Sequence, residues 1–398
     1  MKKASIPKTV YSVARFFVKP YVRRKYQFTT EKLPSVGEPF ILLSNHTTED
    51  DMLFTALASR QPMSFVCGEH LLRNRLYGKL LRSLVNPIPL PKGGESFGAV
   101  REILKRLKAG ENVCMFPEGK RSYHGETIPC AVATGKLVKK AGCALVTYRI
   151  RGGYFTYPRW ARRHHRKGRV TGEVVGIYSS EQLSGLSARE ITDIINRDTY
   201  ENAYDTQREN RWLYTGENRA EGLEHILFLC PRCHGMDTIR TEGDAFRCTG
   251  CDLHGVYTDR GFLEGPELPF DNVLSWMRWM EPVFDDFVRG QEPGSLLFTE
   301  PEVLLYRQRE DYKNEDIARA ELRIYGDKMV LGNLESSAEF REFRFEDISA
   351  LSVLYGNIVL FTHRGVYYGL TGESLHAWKC ARLWHLFRGD TTDPTKEI

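Results

Sequence analysis

Phe40-Ile41-Leu42-Leu43-Ser44-Asn45-His46-Thr47-Thr48-Glu49-Asp50-Asp51 is a short apolar run followed by an imidazole and carboxylates. The run Phe40–Leu43 has the length and composition of a buried strand, so His46 falls where a strand ends and a helix begins. Imidazole titrates near neutral pH and can be held in one tautomer by a carboxylate, which suits a general base open to substrate. The spacing restricts the geometry. Five residues along one continuous helix turn the chain by roughly 500°, leaving His46 and Asp51 about 140° apart. They meet only if His46 lies in the turn and Asp51 in the first helical turn. Asp50 is the rival partner if the helix starts earlier, and the pair taken alone also suits a surface or capping role.

A second stretch changes the weighing. Phe116-Pro117-Glu118-Gly119-Lys120-Arg121-Ser122 follows the strand-like Val113–Phe116 and sets adjacent cations beside a glycine and a hydroxyl. A phosphate asks for that chemistry: Arg for bidentate contact, Lys for point charge, and Gly for close backbone approach. Together the two stretches resemble the first and third blocks, N-H-x4-D and F-P-E-G-x-R-S, of the glycerolipid acyltransferase family that includes 1-acylglycerol-3-phosphate acyltransferases. The resemblance covers about residues 30–215.

At 398 residues the chain is long enough for two or three domains. Its 41% hydrophobic and 27% charged residues are those of a globular protein, and the net charge of +5 is modest. No stretch approaches the roughly 18 consecutive apolar residues of a spanning helix. Residues 1–30 carry eight cations, from Lys2 to Lys25, and no acid, interleaved with Val10, Val13, Phe16, Phe17 and Tyr21. That is the composition of a basic amphipathic membrane-interface segment, although a basic tail or a helix packed on the domain shares it. Pro20 is expected to break or kink a helix there.

Strand and helix patterns then alternate from Met52 to Tyr204: helices near Met52–Ala58, Leu71–Leu84, Phe97–Ala109, Ala131–Ala141 and Ser187–Tyr204, strands at Met63–Cys67, Val113–Phe116, Ala144–Ile150 and Val170–Tyr178. Ser187 and Glu190 make a capping box. The alternation predicts an α/β domain over 31–215, with a central mostly parallel sheet, flanking helices and active groups at strand ends. Pro87–Gly94 is the region where the family places an Arg after a short strand; here Lys92 stands instead, keeping the charge without the fork. The family's fourth block carries a Pro after an apolar strand, and here Leu145–Ile150 runs into Arg151-Gly152-Gly153-Tyr154. Both departures bear on donor and acceptor. The basic run 158–169 fits a collar around an anionic lipid better than a solvated loop or a nucleic-acid contact.

Of nine cysteines, Cys230, Cys233, Cys248 and Cys251 form two Cys-x-x-Cys knuckles. Four thiolates at this spacing predict a structural zinc ribbon over 222–260, in a reducing compartment, with no open coordination position. Residues 261–295 read as a helical linker, with Trp276, Met277, Met280 and Phe284 at helical spacing over Pro266–Gly290. Seven period-two segments between Val303 and Leu370, followed by a helix at Ser374–Phe387, give a mainly β domain over 296–398. It resembles a pleckstrin-homology-like or GRAM-like domain.

What the family resemblance implies is transfer of an acyl group from acyl-ACP or acyl-CoA to the free hydroxyl of 1-acyl-sn-glycerol-3-phosphate, forming phosphatidic acid. Another lysophospholipid acceptor keeps the same chemistry; a non-catalytic membrane or nucleic-acid adaptor is the contrasting class. By this analogy His46 is the base and Asp51 its orienting partner. Asn45, Glu118, Gly119, Lys120, Arg121, Ser122 and Lys92 would bind substrate. The implied partners are lysophospholipid, acyl thioester, an anionic membrane surface and acyl carrier protein, with nucleic acid disfavoured. The implied place is the cytoplasm, peripherally on the inner face of the membrane.

Overall fold

A computed structural model describes residues 7–68, 72, 86–90, 97–161, 165–292, 294–309, 314–332 and 340–389. Two compact units partition the chain, one of residues 1–158 and 166–215 and the other of 159–165 and 216–398. Except for Leu72, the expected helix Leu71–Leu84 lies outside the described residues, as does the candidate Lys92.

The first unit is built on strand β2 (Phe40–Ser44), which is buried along its whole length. Phe40 and Leu42 face one core, with helix α2 (Asp51–Ala58), whereas Ile41 and Leu43 face a second, with helices α3 (Phe97–Lys108), α4 (Val132–Ala141) and α7 (Ala188–Thr199). A strand covered on both faces has to be apolar throughout, which is why the run reads as continuous rather than alternating. Seven strands are ordered β1-β7-β6-β2-β5-β3-β4: β1 Thr29–Thr30, β3 Met63–Gly68, β4 Ile88–Leu90, β5 Asn112–Met115, β6 Ala144–Arg151 and β7 Thr171–Tyr178. All pairings are parallel except β6 with β7. Pro89 is tolerated in β4 because β4 is the edge strand. With β5, β2 and β6 adjacent and parallel, their carboxyl ends share one rim, the place where open α/β sheets bind ligands.

Two expectations need correcting. Helix α1 (Lys8–Tyr26) runs unbroken through Pro20. Pro20 is exposed, so the carbonyl that its missing N–H frees on the preceding turn can be met by water. The helix expected over Ser187–Tyr204 is two, α7 and α8 (Ala203–Asn210), with short helices α5 (Gly153–Thr156) and α6 (Ser180–Ser184) before them. Tyr200 is extended and Asn202 caps α8 by accepting from the Tyr204 N–H. The strong 3.6-residue pattern lies within α7, and the polar α8 after it leaves little periodicity of its own.

The second unit holds two antiparallel sheets. The smaller, ordered β11-β10-β9-β8, is made of β8 (Ile239–Glu242), β9 (Ala245–Cys248), β10 (His254–Tyr257) and β11 (Leu263–Glu264). Helix α9 (Val273–Arg289) follows, capped by Asn272, and buries Trp276, Met277, Met280 and Phe284. The larger sheet has the order β15-β14-β13-β12-β18-β17-β16 and is closed by helix α10 (Ala377–Phe387). Its strands are β12 (Leu296–Gln308), β13 (Asn314–Tyr325), β14 (Lys328–Leu331), β15 (Arg341–Arg344), β16 (Ile348–Leu354), β17 (Ile358–His363) and β18 (Val366–Thr371). β12 is longer than the expected Val303–Arg307 because register shifts near Phe298, Val303 and Tyr306 break its alternation.

Candidate active site

Thr47 and Thr48 make the turn that joins β2 to α2, and the carboxylate of Asp51 organises it. Asp51 is the first residue of α2 and fully buried. Its Oδ2 accepts from the Thr47 amide, the Thr48 amide at 3.0 Å and His46 Nδ1 at 2.9 Å. Its Oδ1 accepts from Thr47 Oγ1 at 3.0 Å and Thr48 Oγ1 at 2.7 Å. These donors fill the acceptor sites of a side chain cut off from water, so its burial is compensated where it sits. It fixes the Nδ1–H tautomer of His46 and presents Nε2 as the basic nitrogen. His46 itself is partly exposed and stacks on Phe116, ring centres 4.6 Å apart. Asp50 is not the partner: its Oδ2 accepts from Tyr26 at 2.6 Å and Lys25 at 2.8 Å, tying α1 to the start of α2.

The second stretch braces the first. Glu118 spends one oxygen on the His46 amide, at 2.6 Å, and the other on the Ile128 amide, at 2.9 Å. Ser122 donates its amide to the His46 carbonyl at 3.3 Å. Gly119 closes the turn at φ 74°, a left-handed conformation that favours glycine. Arg121 is buried, meets Glu49 at 3.4 Å and lies over the Tyr157 ring at 5.6 Å, while Lys120 is half-buried beside it. Asn45 closes a backbone-like pair with Ile150, donating to its carbonyl at 2.8 Å and accepting from its amide at 2.7 Å. Asn45, His46, Glu118 and Ser122 therefore line one recess together with Gly152, Tyr154 and Glu201.

Three contributors escaped the sequence reading. The threonines that saturate Asp51 are two hydroxyls between a His and an Asp, a visible but unspecific signal. Gly153 stands where the Thr47 side chain needs the space: a β-carbon there would run into Thr47 Oγ1 and Thr48 Cγ2. Gly153→Ala is expected to cost about 1–3 kcal/mol in denaturant unfolding by overpacking. Pushing Thr47 off Asp51 should also lower kcat roughly tenfold. Unchanged unfolding and turnover would show that the turn relaxes freely. Glu201 is the third, delivered by the break between α7 and α8.

In the second unit the four cysteine sulfurs lie within 4.8 Å of one another, with Cys230–Cys251 and Cys233–Cys248 each at 3.7 Å. Tetrahedral zinc at a Zn–S distance of about 2.3 Å sets its sulfurs about 3.8 Å apart, so the cluster fits that ion and leaves no fifth position for water. No helix among the described residues is long and apolar enough to cross a membrane.

The hydrogen-bonded His46–Asp51 pair thus lies at the carboxyl rim of a mostly parallel sheet. Residues 25–151 match the family model described as Acyltransferase, so the first unit carries an acyltransferase-family domain. Among solved structures, the 1-acyl-sn-glycerophosphate (LPA) acyltransferase PlsC from Thermotoga maritima is similar at 20% identity, with a TM-score of 0.40, over 50% of this chain and 83% of that one.

Proposed function

We propose that the protein moves a fatty acyl group from an acyl thioester, acyl-ACP or acyl-CoA, to the free hydroxyl of a lysophospholipid, with 1-acyl-sn-glycerol-3-phosphate as the simplest acceptor and phosphatidic acid as its product. The observation that carries this reading is the 2.9 Å bond between His46 Nδ1 and an Asp51 whose remaining oxygen sites are filled by the following turn. His46 Nε2 takes the hydroxyl proton as the acceptor oxygen attacks the thioester carbonyl. The carbon–sulfur bond breaks as the tetrahedral adduct collapses, and the proton passes to the departing thiolate. Asp51 offsets the imidazolium charge in between. The acceptor is the nucleophile, so no acyl-enzyme is needed. Arg121, Lys120 and Lys92 are assigned to the acceptor phosphate, and Glu118, Asn45, Gly119 and Ser122 to the loops that present it. Free thiol released from palmitoyl-CoA or palmitoyl-ACP by the purified protein, only when acceptor is present, tests the reaction. Absence of release with any lysophospholipid would remove it.

Helix α1 supports peripheral membrane contact at the cytoplasmic face. Its buried side, Tyr11, Val22 and Tyr26, packs in the domain, while Arg15 donates to the carbonyls of Ala56 and Leu57. The other side leaves Phe16 and Phe17 at 74% and 70% exposure, with Val10, Val13 and Tyr21 also open. An exposed apolar stripe flanked by Lys19, Arg23 and Arg24 fits an anionic interface. Phe16→Glu with Phe17→Glu is expected to weaken sedimentation with anionic vesicles about 10²-fold, from lost apolar burial. Binding equal to wild type would take the helix out of the interface.

We assign structural zinc to the cysteine cluster and a pleckstrin-homology-like or GRAM-like character to the larger sheet, whose strand order and closing helix support it. Both are read as docking parts, for membrane or for a donor such as acyl carrier protein. Full vesicle binding and activity in a chain ending near Thr215 would remove that role.

A further inference from the structure

The join Tyr200-Glu201-Asn202 brings Glu201 to the lining of the recess that His46 also lines. Its backbone is laced to the loop after Ser122. The Glu201 amide donates to Thr127 Oγ1 at 3.0 Å, its carbonyl accepts from the Thr127 amide at 2.9 Å, and the Ala203 amide donates to the Gly125 carbonyl at 2.8 Å. The side chain is therefore held from both directions. Glu201 is only 5% exposed. Its Oε2 meets Arg151 Nε at 3.3 Å, whereas Oε1 is buried without a hydrogen-bond partner. Burial pushes this carboxyl up to about 7, against the lowering effect of the Thr206 hydroxyl and of Arg151 and Arg149.

A buried acceptor left unpaired costs about 1–3 kcal/mol, so a fold that keeps one in a ligand recess invites a donor from the ligand. The neighbouring acceptors are already used inside the protein. Glu118 serves the His46 and Ile128 amides, and Asn45 serves Ile150. A phosphate does not answer Oε1 of the ionised carboxylate, to which it brings acceptors and negative charge. A hydroxyl can. The enclosed part of the recess takes about one group of that size.

We propose that Glu201 is a specificity-determining residue that accepts a hydrogen bond from a second, non-reacting hydroxyl of the acceptor. It thereby favours lysophospholipids with a polyol headgroup over those whose headgroup is phosphate alone. The inference rests on the acyl-transfer reading above and narrows its acceptor class. The reacting hydroxyl goes to His46; the second hydroxyl goes to Glu201 Oε1, and no bond to Glu201 is made or broken in the reaction.

The test compares lysophosphatidylglycerol with 1-acylglycerol-3-phosphate, using thiol release from palmitoyl-CoA by the full chain. Wild type is expected to have the lower KM for lysophosphatidylglycerol. In Glu201→Ala the kcat/KM ratio of the two acceptors should fall about tenfold, through a raised KM for the polyol acceptor. Glu201→Gln, which keeps the shape and one carbonyl acceptor, should lie between. A purely structural role would instead depress both acceptors alike, and that result in the isosteric Gln variant overturns the inference even if the Ala variant fails to fold. Equal wild-type KM values for the two acceptors overturn it as well, with the acyl-transfer reading left standing. No turnover with either acceptor or any other lysophospholipid removes both.

Discussion

His46→Ala is expected to lower kcat for acyl transfer about 10³-fold while changing KM by no more than about threefold. A positioned base supplies roughly 10²–10⁴ in rate, and about 10³ corresponds to about 4 kcal/mol of lost transition-state stabilisation. The loss should appear in kcat because the proton moves only as the oxygen attacks; the ground-state acceptor does not need it to bind. The fold should survive the change. His46 is half-buried and its main connection is Nδ1 to Asp51, whose other donors come from Thr47 and Thr48 and stay in place. Asp51→Asn offers the contrast. An amide NH2 turned among four threonine donors loses acceptors that the turn was built around, so that variant should lose both turnover and unfolding free energy. Thiol release and denaturant unfolding on the same two variants separate these effects. Turnover of His46→Ala within about threefold of wild type would remove His46 as the base.

How much of this was legible in sequence varies with how local the determinant is. The strand–turn–helix around His46 was readable because a buried strand, a special turn and a helix start each leave their mark within a few residues. His46 and Asp51 meet in the geometry that their spacing requires: His46 lies in the turn and Asp51 opens α2. The long-range parts were not readable. That Glu118 would brace the His46 amide is a contact across 72 residues, set by the adjacency of β2 and β5 in the sheet. Glu201 reaches the lining of the recess only because the chain leaves the helix at Tyr200, just past the end of the strongly amphipathic α7. Asn202, an N-cap residue ahead of Ala203, was the one local signal for it. In the second unit the same rule holds. Cysteine spacing is local and strong, whereas the pairing of β12 with β18 joins the first and last strands of the larger sheet and has no counterpart in the periodicity.

The largest effect on stability is expected from removing the metal. The sheet β8–β11 consists of strands of two to four residues, and the core behind it is small: Ile239, Phe246, Tyr257 and Leu263. A module of that size rarely holds itself together by burial alone. Binding of zinc to four thiolates is folding free energy for such modules, on the order of 10 kcal/mol. Burial pushes the Cys230 thiol up, so without a cation that sulfur holds its proton and no longer joins the cluster as a thiolate. Trp276 offers a local reporter. It is fully buried on α9, donates its indole N–H to the carbonyl of Leu229, next to Cys230, at 2.9 Å, and packs edge-on against Phe246 of β9. The purified protein should hold about one zinc per chain by elemental analysis. A strong chelator, or Cys233→Ser, should make about four thiols newly reactive or lost from the protected set. The tryptophan emission should shift to the red, and that shift should shrink in Trp276→Phe. The first unit has its own two-faced core around β2, so the thermal transition is expected to split rather than vanish. A metal-free protein with unchanged emission and unreactive thiols would mean that packing alone holds the ribbon, and the zinc assignment would fall with it.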